Sequence, residues 1–352
     1  MTNVFRPEIA SLAEYTLPQY SYRIKLNQNE NPYELPDDVK KEILERISSV
    51  SWSRYPSFTP LRQLDMLASM TGWDADGILA GNGSNELLQL LFLSSLERGS
   101  AVVISQPTFT LYKILARSMG ANVHEVPMGG GFSFDVDALI RVTNENRAAM
   151  LVLCSPNNPT GTSLPRGALQ KILDSTQALV VLDEAYVHFD EGSGISLLRQ
   201  YDRLVILQTF SKAMGAAGLR FGYSLSSPEI ARDLRKVKLP YNINVFTLLA
   251  AEVLMAHWGT IQTWISSIVS ERERVRTELG GLRGISVYRS GGNFLLFESM
   301  VVRPLDIFTS LLHDGILIRD VSSYPGLSKG LRVTVGRPEE NDEFLAALRK
   351  AL

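Results

Sequence analysis

The chain has 352 residues, 45% hydrophobic and 20% charged, so it is long and apolar enough to fold around a sizeable core. Lys and Arg number 35 against 37 Asp and Glu, so a net charge of −2 gives no general attraction for nucleic acid or anionic membranes. The N-terminus has no signal-like apolar core, and no apolar run is long enough to span a bilayer. We therefore expect a cytoplasmic enzyme with one large and one small domain.

Cysteine and histidine usage limits the metal and redox chemistry of the chain. Cys154 is the single cysteine, so it cannot form an internal disulfide. The four histidines are scattered and show no metal-ligand spacing, so no metal site is predicted. We expect Cys154 to be an ordinary buried residue of a strand.

Continuous apolar runs alternate with helical patterns from about residue 78 to 260. Runs without polar alternation are typical of strands covered on both faces, so they predict a mainly parallel sheet with flanking helices. The helical segment ELLQLLFLSSLERG is expected to end at Gly99, after Arg98. The strand candidates are SAVVIS (100–105), AAMLVLCS (148–155), ALVVLDEAY (178–186) and DRLVILQTF (202–210).

The pattern of predicted secondary structure changes after residue 262. A charged helical segment, SIVSERERVRTELGGL, is followed by the short strand patterns NFLLFES, GILIRD and LRVTVG. These patterns predict a small α+β domain to which the N-terminal segment contributes. The predicted division is an N-terminal segment at 1–45, a large domain at 46–262 and a small C-terminal domain at 263–352.

Polar groups follow several of the apolar strand runs, and ligands of α/β sheets collect at such strand ends. GNGSNELLQ (81–89) opens a helix, where the amides of Gly83, Ser84 and Asn85 can face an anion. An ordinary helix start, with Ser84 as the N-cap and no bound anion, would have the same sequence pattern.

Asp183 ends the apolar part of VVLDEAYVHF, with Tyr186 three residues later. A carboxylate in this position either caps a helix, pairs with a cation or holds a ligand proton. The turn SPNNPTG (155–161) is by composition a loop, whose amide side chains can also donate to a ligand oxygen.

The segment TFSKAMGAAGLR (209–220) places Lys212 between a strand end and a run of small residues, with Arg220 eight positions later. Desolvation and nearby positive charge favour the neutral amine of such a lysine, which can then form a Schiff base with a carbonyl. A surface lysine is the ordinary alternative, and the small flanking residues make exposure of Lys212 less favourable.

A set of motifs in chain order resembles the histidinol-phosphate aminotransferases, a family of fold type I pyridoxal phosphate enzymes. The resemblance runs from about residue 15 to 352. It implies an α/β fold, with a mainly parallel seven-stranded sheet flanked by helices in the large domain and a small α+β domain beside it. The motifs are LNQNENPY (26–33), RYP (54–56), GNGSNE (81–86), PTFTLY (107–112), SPNNPTG (155–161), DEAYVHF (183–189), TFSKAMGAAGLR (209–220), LPYNIN (239–244), GNFLLF (292–297), GILIR (315–319) and LRVTVGRPEEN (331–341).

The resemblance implies that Lys212 forms the covalent link to pyridoxal 5'-phosphate and then acts as general acid and base. Asp183 would pair with the pyridine nitrogen, which keeps the ring cationic and able to accept electrons. Tyr186 is the third implied catalytic residue. The other implied cofactor contacts are Tyr186 and Asn158 at the phenolic oxygen, Phe109 stacked on the ring, and Gly83, Ser84, Asn85, Thr209, Ser211 and Arg220 at the phosphate.

Tyr55, in RYP, matches a family tyrosine that reaches a phosphate in the neighbouring subunit's site, which implies a homodimer with shared active sites. Two positions depart from the family pattern. Phe109 stands where tyrosine is frequent, and Asn85 replaces a frequent acidic residue. Neither departure changes the proposed electron sink, so the resemblance still implies aminotransferase chemistry.

The implied reaction is a ping-pong transfer in histidine biosynthesis, in which L-histidinol phosphate and 2-oxoglutarate give imidazole acetol phosphate and L-glutamate. One pocket must then bind a phosphate and carboxylates in turn, and arginine suits both. Strand alternation in LRVTVG places Arg332 opposite the apolar positions, so Arg332 and Arg319 are the anion-binding candidates, with surface ion pairs as the alternative. Further substrate candidates are Tyr15, Tyr20, Asn29, Tyr241 and Asn242.

Three alternative functions remain open. A threonine-phosphate decarboxylase also binds a phosphorylated substrate but needs no 2-oxoglutarate. An aromatic amino acid aminotransferase would use the same arginines for a carboxylate. A non-catalytic pyridoxal phosphate sensor is disfavoured because Lys212 is intact and the sequence shows no DNA-binding module.

Overall fold

The computed structural model describes residues 4–14, 16 and 18–352. In this part of the chain strands and helices alternate through the middle of the sequence, as the apolar runs predict. The strands are β1 Ile24–Lys25, β2 Ile78–Gly81, β3 Ala101–Gln106, β4 Asn122–Pro127, β5 Met150–Cys154, β6 Leu179–Asp183, β7 Leu204–Thr209, β8 Gly222–Leu225, β9 Ile285–Val287, β10 Phe294–Ser299, β11 Ile316–Leu317, β12 Arg319–Asp320 and β13 Gly330–Thr334.

The helix that follows β2 ends earlier than predicted. Leu96 takes an extended conformation, with φ −117° and ψ 137°, and so ends the helix after Ser95. The predicted end at Gly99 is wrong, because Gly99, with φ 88°, belongs to the turn that follows. The α-helices are α1 Pro7–Ala10, α2 Asp37–Ser48, α3 Leu61–Thr71, α4 Ser84–Ser95, α5 Leu111–Ser118, α6 Val136–Glu145, α7 Ala168–Ser175, α8 Pro228–Val237, α9 Val245–Ala256, α10 Trp258–Gly280, α11 Pro304–His313 and α12 Pro338–Ala351.

The large sheet has seven strands in the order β2-β8-β7-β6-β5-β3-β4. Strands β3 to β7 pair in parallel, whereas β8 is antiparallel to both of its neighbours, β2 and β7. This mainly parallel sheet confirms the predicted fold class. None of the helices in the described ranges combines the length and apolar character needed to cross a bilayer.

Both faces of the large sheet are buried, which explains the continuous apolar runs. Along β5, Leu151 and Leu153 pack into one core cluster, whereas Met150, Val152 and Cys154 pack into the cluster on the other side. Successive strand residues point to opposite faces, so a strand covered twice needs apolar side chains at every position. The prediction that Cys154 is a buried strand residue is confirmed.

The register of the parallel strands brings their carboxyl ends to one edge of the sheet. Cys154 at the end of β5 lies beside Asp183 at the end of β6, and Asp183 lies beside Leu207 near the end of β7. The loops that carry Asn158 and Lys212 leave from the same edge. The sheet therefore gathers polar groups that are far apart in sequence.

Two smaller sheets contain the remaining strands. The order of the four-stranded antiparallel sheet is β12-β13-β10-β9, and β1 pairs with β11 in parallel. Leu26, which follows β1, shares a core with Leu295, Leu331 and Phe344. N-terminal residues thus pack with C-terminal strands and helices.

The predicted domain boundaries at residues 45 and 262 stay predictions. Helix α2, which runs across residue 45, packs Val39 and Ile43 against Ala250 and Val253 of α9. Helix α10 runs without interruption across residue 262.

Candidate active site

A polar cleft opens at the carboxyl ends of β5, β6 and β7. Its walls come from the loop after β1, the start of α4, the loops after these strands, and the residues of β12 and β13. The cleft brings together most of the predicted site residues, namely Asn29, Ser84, Asn85, Phe109, Asn158, Asp183, Tyr186, Thr209, Ser211, Lys212, Arg220, Arg319 and Arg332.

Lys212 lies in the turn after β7 and extends into this cleft. Its Nζ donates to the backbone oxygen of Gln28 over 2.8 Å, which holds the amine against the loop after β1. Burial, followed by the nearby positive charge of Arg332, lowers the pKa of Lys212 to about 8. A substantial fraction of the amine is therefore neutral near physiological pH, as a nucleophile or a base requires.

Asp183 is buried at the end of β6 and has two hydrogen-bond donors. The hydroxyl of Tyr112 donates to its Oδ2 over 2.7 Å, and the amide of Ala185 donates to its Oδ1 over 3.0 Å. Burial raises the pKa of Asp183, whereas these two hydrogen bonds and the charge of Lys212 oppose the rise. The Ala185 bond closes a turn two residues long, so Asp183 does not cap an α-helix.

The start of α4 offers backbone amides to the cleft, with one correction to the predicted set. Gly83, with φ 80°, is the N-cap, so the alternative of Ser84 as N-cap is wrong. The amide of Gly83 donates to the oxygen of Gly81 over 2.8 Å and is thus already used. Ser84 and Asn85 are the first two helical residues, whose amides have no partner within an α-helix.

Arg220 lies over this helix start because Gly83 has no side chain. A Cβ at Gly83 would lie only 2.5 Å from Nη2 of Arg220. Nη1 of Arg220 donates to Oγ of Ser211 over 3.0 Å, and the hydroxyl of Thr209 also donates to this oxygen over 3.0 Å. Ser211 accepts twice, so its own proton can be given to a ligand. A guanidinium, a hydroxyl and a helix N-terminus together favour a phosphate.

Asn158 and Tyr186 each accept a hydrogen bond from the side facing the small sheets. Nη1 of Arg332 donates to Oδ1 of Asn158, and Nδ2 of Asn29 donates to the hydroxyl of Tyr186 over 3.0 Å. Arg332 also donates to the backbone oxygen of Asn27 over 2.6 Å. The donor groups of Asn158 and Tyr186 are thereby left for the cleft.

Arg319 and Arg332 lie directly opposite each other on the antiparallel strands β12 and β13. Like charges in such positions repel, and an anion between them relieves that repulsion. With Lys212 and Arg220 these two arginines give the cleft four basic side chains against the single carboxylate of Asp183 among its described lining residues. The cleft therefore suits ligands with more than one anionic group.

Five predicted site residues do not line the cleft in the described structure. Tyr55 is 81% exposed and stacks on Tyr241, with ring centroids 4.5 Å apart. Tyr20 packs edge-on against Phe308. Asn242 donates to Glu86 of α4 over 2.7 Å, and neither residue lines the cleft. Gly83 is covered by the guanidinium of Arg220, and its amide is bonded to Gly81.

The predicted substrate candidate Tyr15 falls outside the described residues.

Several cleft residues were missed by sequence reasoning, namely Asn27, Gln28, Tyr112 and Tyr324. Tyr112 is the last residue of the motif PTFTLY, so this motif could have indicated that it is a site residue. Gln28 contributes a backbone oxygen, which no side-chain pattern reveals. Phe109 lines the cleft with Tyr112 edge-on to its ring, at 5.6 Å between centroids.

The amine of Lys212 in the protein without ligand should react with acetic anhydride along a titration curve centred near pH 8, because only the neutral amine is nucleophilic. Quantitative peptide mapping across a pH series measures this curve. In the denatured chain the amine of Lys212 should titrate at about pH 10.4, the ordinary pKa of lysine.

Arg332→Gln should move the Lys212 midpoint upward, because the Arg332 guanidinium is the neighbouring charge that most lowers this pKa. A folded-state midpoint equal to that of the denatured chain would contradict the geometry described for the amine.

Comparison with known proteins gives a consistent relationship over most of the chain. Residues 22–348 match the family described as aminotransferase class I and II. The chain is 38% identical over 328 residues to histidinol-phosphate aminotransferase from Chlorobaculum tepidum, which covers 93% of this chain and 94% of that protein. The similarity predicted from the motifs is thereby confirmed.

Solved structures show the same fold. Histidinol-phosphate aminotransferase from Sinorhizobium meliloti, in complex with pyridoxal-5'-phosphate, matches with a TM-score of 0.90 at 23% identity over 100% of this chain and 98% of that one. L-threonine-O-3-phosphate decarboxylase from Porphyromonas gingivalis matches with a TM-score of 0.82 at 25% identity, over 93% of this chain and 98% of that one.

The cleft fits pyridoxal phosphate, the cofactor on which class I and II aminotransferases depend. The space left by the missing Cβ of Gly83 lets Arg220 reach the start of α4, where a phosphate is favoured. Lys212 supplies an amine of lowered pKa, and Asp183 supplies a buried carboxylate whose hydrogen-bond donors, Tyr112 and the Ala185 amide, are both uncharged. The chain belongs to the class I and II aminotransferases and is a pyridoxal phosphate-dependent transferase of fold type I.

Proposed function

We propose that this enzyme transfers the amino group of L-histidinol phosphate to 2-oxoglutarate, as a histidinol-phosphate aminotransferase. The observation that carries the proposal is the pair Arg319 and Arg332, which lines the same cleft as Lys212 in addition to the anion-favouring start of α4. A substrate phosphate could then bind beside, and separately from, the cofactor phosphate. The relatives of this name at 34–39% identity support the same substrate.

The cofactor would be held by the residues of the cleft according to their chemistry. Bound pyridoxal phosphate supplies an aldehyde for the substrate amino group and a ring that accepts electrons. Asp183 would hold the proton of the pyridine nitrogen, and Asn158 and Tyr186 would donate to the phenolic oxygen. Phe109 would cover one face of the ring. The phosphate would be bound by Ser84, Asn85, Thr209, Ser211 and Arg220.

Lys212 would carry the proton that moves during the reaction. Its lowered pKa gives a neutral amine that can accept the proton from the substrate Cα and return it to another atom of the bound molecule. The bond to the oxygen of Gln28 keeps the amine inside the cleft when it is not otherwise engaged.

Arg332 and Arg319 would bind the anionic end of each substrate in turn. Arg332 is 7% exposed and lies over the ring of Phe294, with its guanidinium carbon 5.4 Å from the centroid, so its position is fixed before a ligand arrives. A planar guanidinium accepts either a phosphate or a carboxylate in a bidentate contact. The same two residues can therefore serve both half-reactions.

The protein reconstituted with pyridoxal phosphate should form glutamate from L-histidinol phosphate and 2-oxoglutarate, measured by coupled glutamate assay. Lys212→Ala should lower kcat roughly 10²-fold to 10⁴-fold, because the group that carries the proton is lost. Lys171→Ala is a matched control, since the Lys171 side chain is exposed, pairs with the exposed Asp137 and lies outside the residues that line the cleft.

The substrate that the enzyme accepts as amino donor distinguishes the candidate functions. Glutamate formation from phenylalanine in preference to histidinol phosphate would replace the substrate proposal with an aromatic aminotransferase. Release of carbon dioxide from threonine phosphate, without any need for 2-oxoglutarate, would replace it with the decarboxylase whose fold is similar.

We also infer a homodimer in which Tyr55 reaches the neighbouring subunit's cleft. Trp52, Tyr55 and Phe58 are 68%, 81% and 60% exposed in the single chain and form an aromatic surface with Tyr241 and Phe246. Large aromatic side chains gathered at one surface favour a protein partner. A cytoplasmic location is part of the same proposal.

Mixed dimers test whether active sites are shared. Tyr55→Ala and Lys212→Ala subunits should each be weakly active alone, but a mixture should recover activity. In the mixed dimer, one cleft would combine an intact Lys212 with Tyr55 from the partner subunit. Sedimentation should give a dimer for both variants, whereas Trp52→Glu with Phe58→Glu should give monomers. Dimers that recover no activity on mixing would contradict the sharing of sites.

A further inference from the structure

We propose that Asn29 is a positioning residue that directs the hydroxyl proton of Tyr186 toward the bound cofactor. This inference rests on the proposed role of Tyr186 at the phenolic oxygen of pyridoxal phosphate. Asn29 is 1% exposed, and its Nδ2 donates to the hydroxyl of Tyr186 over 3.0 Å. A phenol that accepts this bond keeps its own proton for a second partner. Tyr186 is thereby set as a donor to the cleft.

Thr334 determines which end of the Asn29 amide faces Tyr186. The backbone amide of Asn29 donates to Oγ1 of Thr334 over 2.9 Å, and the hydroxyl of Thr334 donates to Oδ1 of Asn29 over 3.3 Å. The first bond uses Thr334 as an acceptor, so its hydroxyl proton needs an acceptor of its own. Oδ1 supplies it, and Nδ2 must then point toward Tyr186.

The backbone of Asn29 is held in a conformation that is uncommon outside glycine. Its φ is 54°, in the left-handed region, which asparagine tolerates better than most residues. Nδ2 of Asn293 donates to the backbone oxygen of Asn29 over 3.0 Å, and the next residue, Phe294, packs edge-on against Tyr186 with centroids 5.1 Å apart. The start of β10 therefore holds both members of the pair. Such backbone strain persists where the surroundings fix it.

The groups around Tyr186 leave its hydroxyl protonated. The titratable or charged neighbours are Lys212, whose Nζ is 5.8 Å from the ring centroid, and Arg332, Asp183 and Cys154. Burial raises the pKa of Tyr186, and the charge of Arg332 and the bond from Asn29 oppose the rise only in part. At neutral pH the phenol is therefore a donor, and Asn29 decides its direction.

The consequence concerns the phenolic oxygen of the cofactor. Donation by Tyr186 stabilises the anionic form of this oxygen, and the bond from Asn29 polarises the hydroxyl and restricts its rotation. Without the amide of Asn29 the hydroxyl can turn away, and the anionic form loses part of its stabilisation. The visible absorbance of the bound cofactor should then change with pH at a higher midpoint.

The test is a pH titration of the visible absorbance of the holoenzyme. Asn29→Gly removes the amide while glycine readily keeps the left-handed backbone, and the midpoint should rise by roughly 0.5 to 1 pH unit. Asn29→Asp keeps the shape and Oδ1 but replaces the donor by an acceptor for the Tyr186 proton. The midpoint should rise more in Asn29→Asp than in Asn29→Gly. If Asn29→Gly does not fold, the midpoint of Asn29→Asp tests the proposal.

A double-variant comparison separates a positioning role from general damage. Tyr186→Phe should raise the midpoint by itself, and adding Asn29→Gly should raise it no further, because Asn29 acts through the hydroxyl. Asn341→Ala is the matched control, since Asn341 is also a buried amide but bonds Gly336 and Glu271. Its midpoint should equal that of the unaltered enzyme.

Borohydride reduction of the unaltered holoenzyme, followed by peptide mapping, distinguishes two kinds of failure. Absence of a labelled Lys212 peptide would overturn the proposed function and this inference with it. If Lys212 is labelled, an unchanged midpoint in both Asn29 variants would overturn this inference alone. A further rise in the double variant, comparable to that of Asn29→Gly alone, would also overturn it.

Discussion

The buried carboxylate of Asp183 is the constraint on which the arrangement of the cleft depends. It lies at the end of the central strand β6, with Tyr112 and Ala185 as hydrogen-bond donors. Burial alone favours the neutral acid, and the two donors favour the anion without supplying a full positive charge. A protonated pyridine nitrogen would supply that charge. The buried carboxylate, whose charge is costly in the protein alone, would then favour binding of a cationic ring.

The basic side chains of the cleft complete this electrostatic design. Arg220 at the start of α4 and the facing pair Arg319 and Arg332 would provide separate places for anions, and a bound anion would relieve the repulsion between the facing arginines. Positive charge also acts on Lys212, whose pKa is lowered to about 8 by burial and by Arg332. In the proposed function, Arg332 would thus affect both anion binding and amine reactivity, so that one cleft would serve two substrates in sequence.

Much of the site could be predicted because strand ends are visible in the sequence. Asp183 and Lys212 each follow a continuous apolar run, and parallel strands bring such ends together. The contacts that join distant segments could not be predicted. Tyr112 and Asp183 are 71 residues apart, Asn29 and Tyr186 157, and Lys212 and Gln28 184, and the last contact uses only a backbone oxygen. Local patterns carry no information on such pairs. The end of α4 at Ser95 accompanies the packing of Leu96 against a core cluster, and the bond from Asn242 to Glu86 joins residues 156 positions apart, so local patterns predict neither.

The most direct test of the role of Asp183 is the ¹⁵N chemical shift of pyridoxal phosphate labelled at its ring nitrogen and bound to the enzyme. The nitrogen should be protonated at neutral pH in the unaltered enzyme and lose its proton in Asp183→Asn. Glu184→Gln is the control, because this neighbouring buried carboxylate bonds Ser193, Gly194 and Gln208 instead. An unprotonated nitrogen in the unaltered enzyme, or a protonated one in Asp183→Asn, would contradict the account.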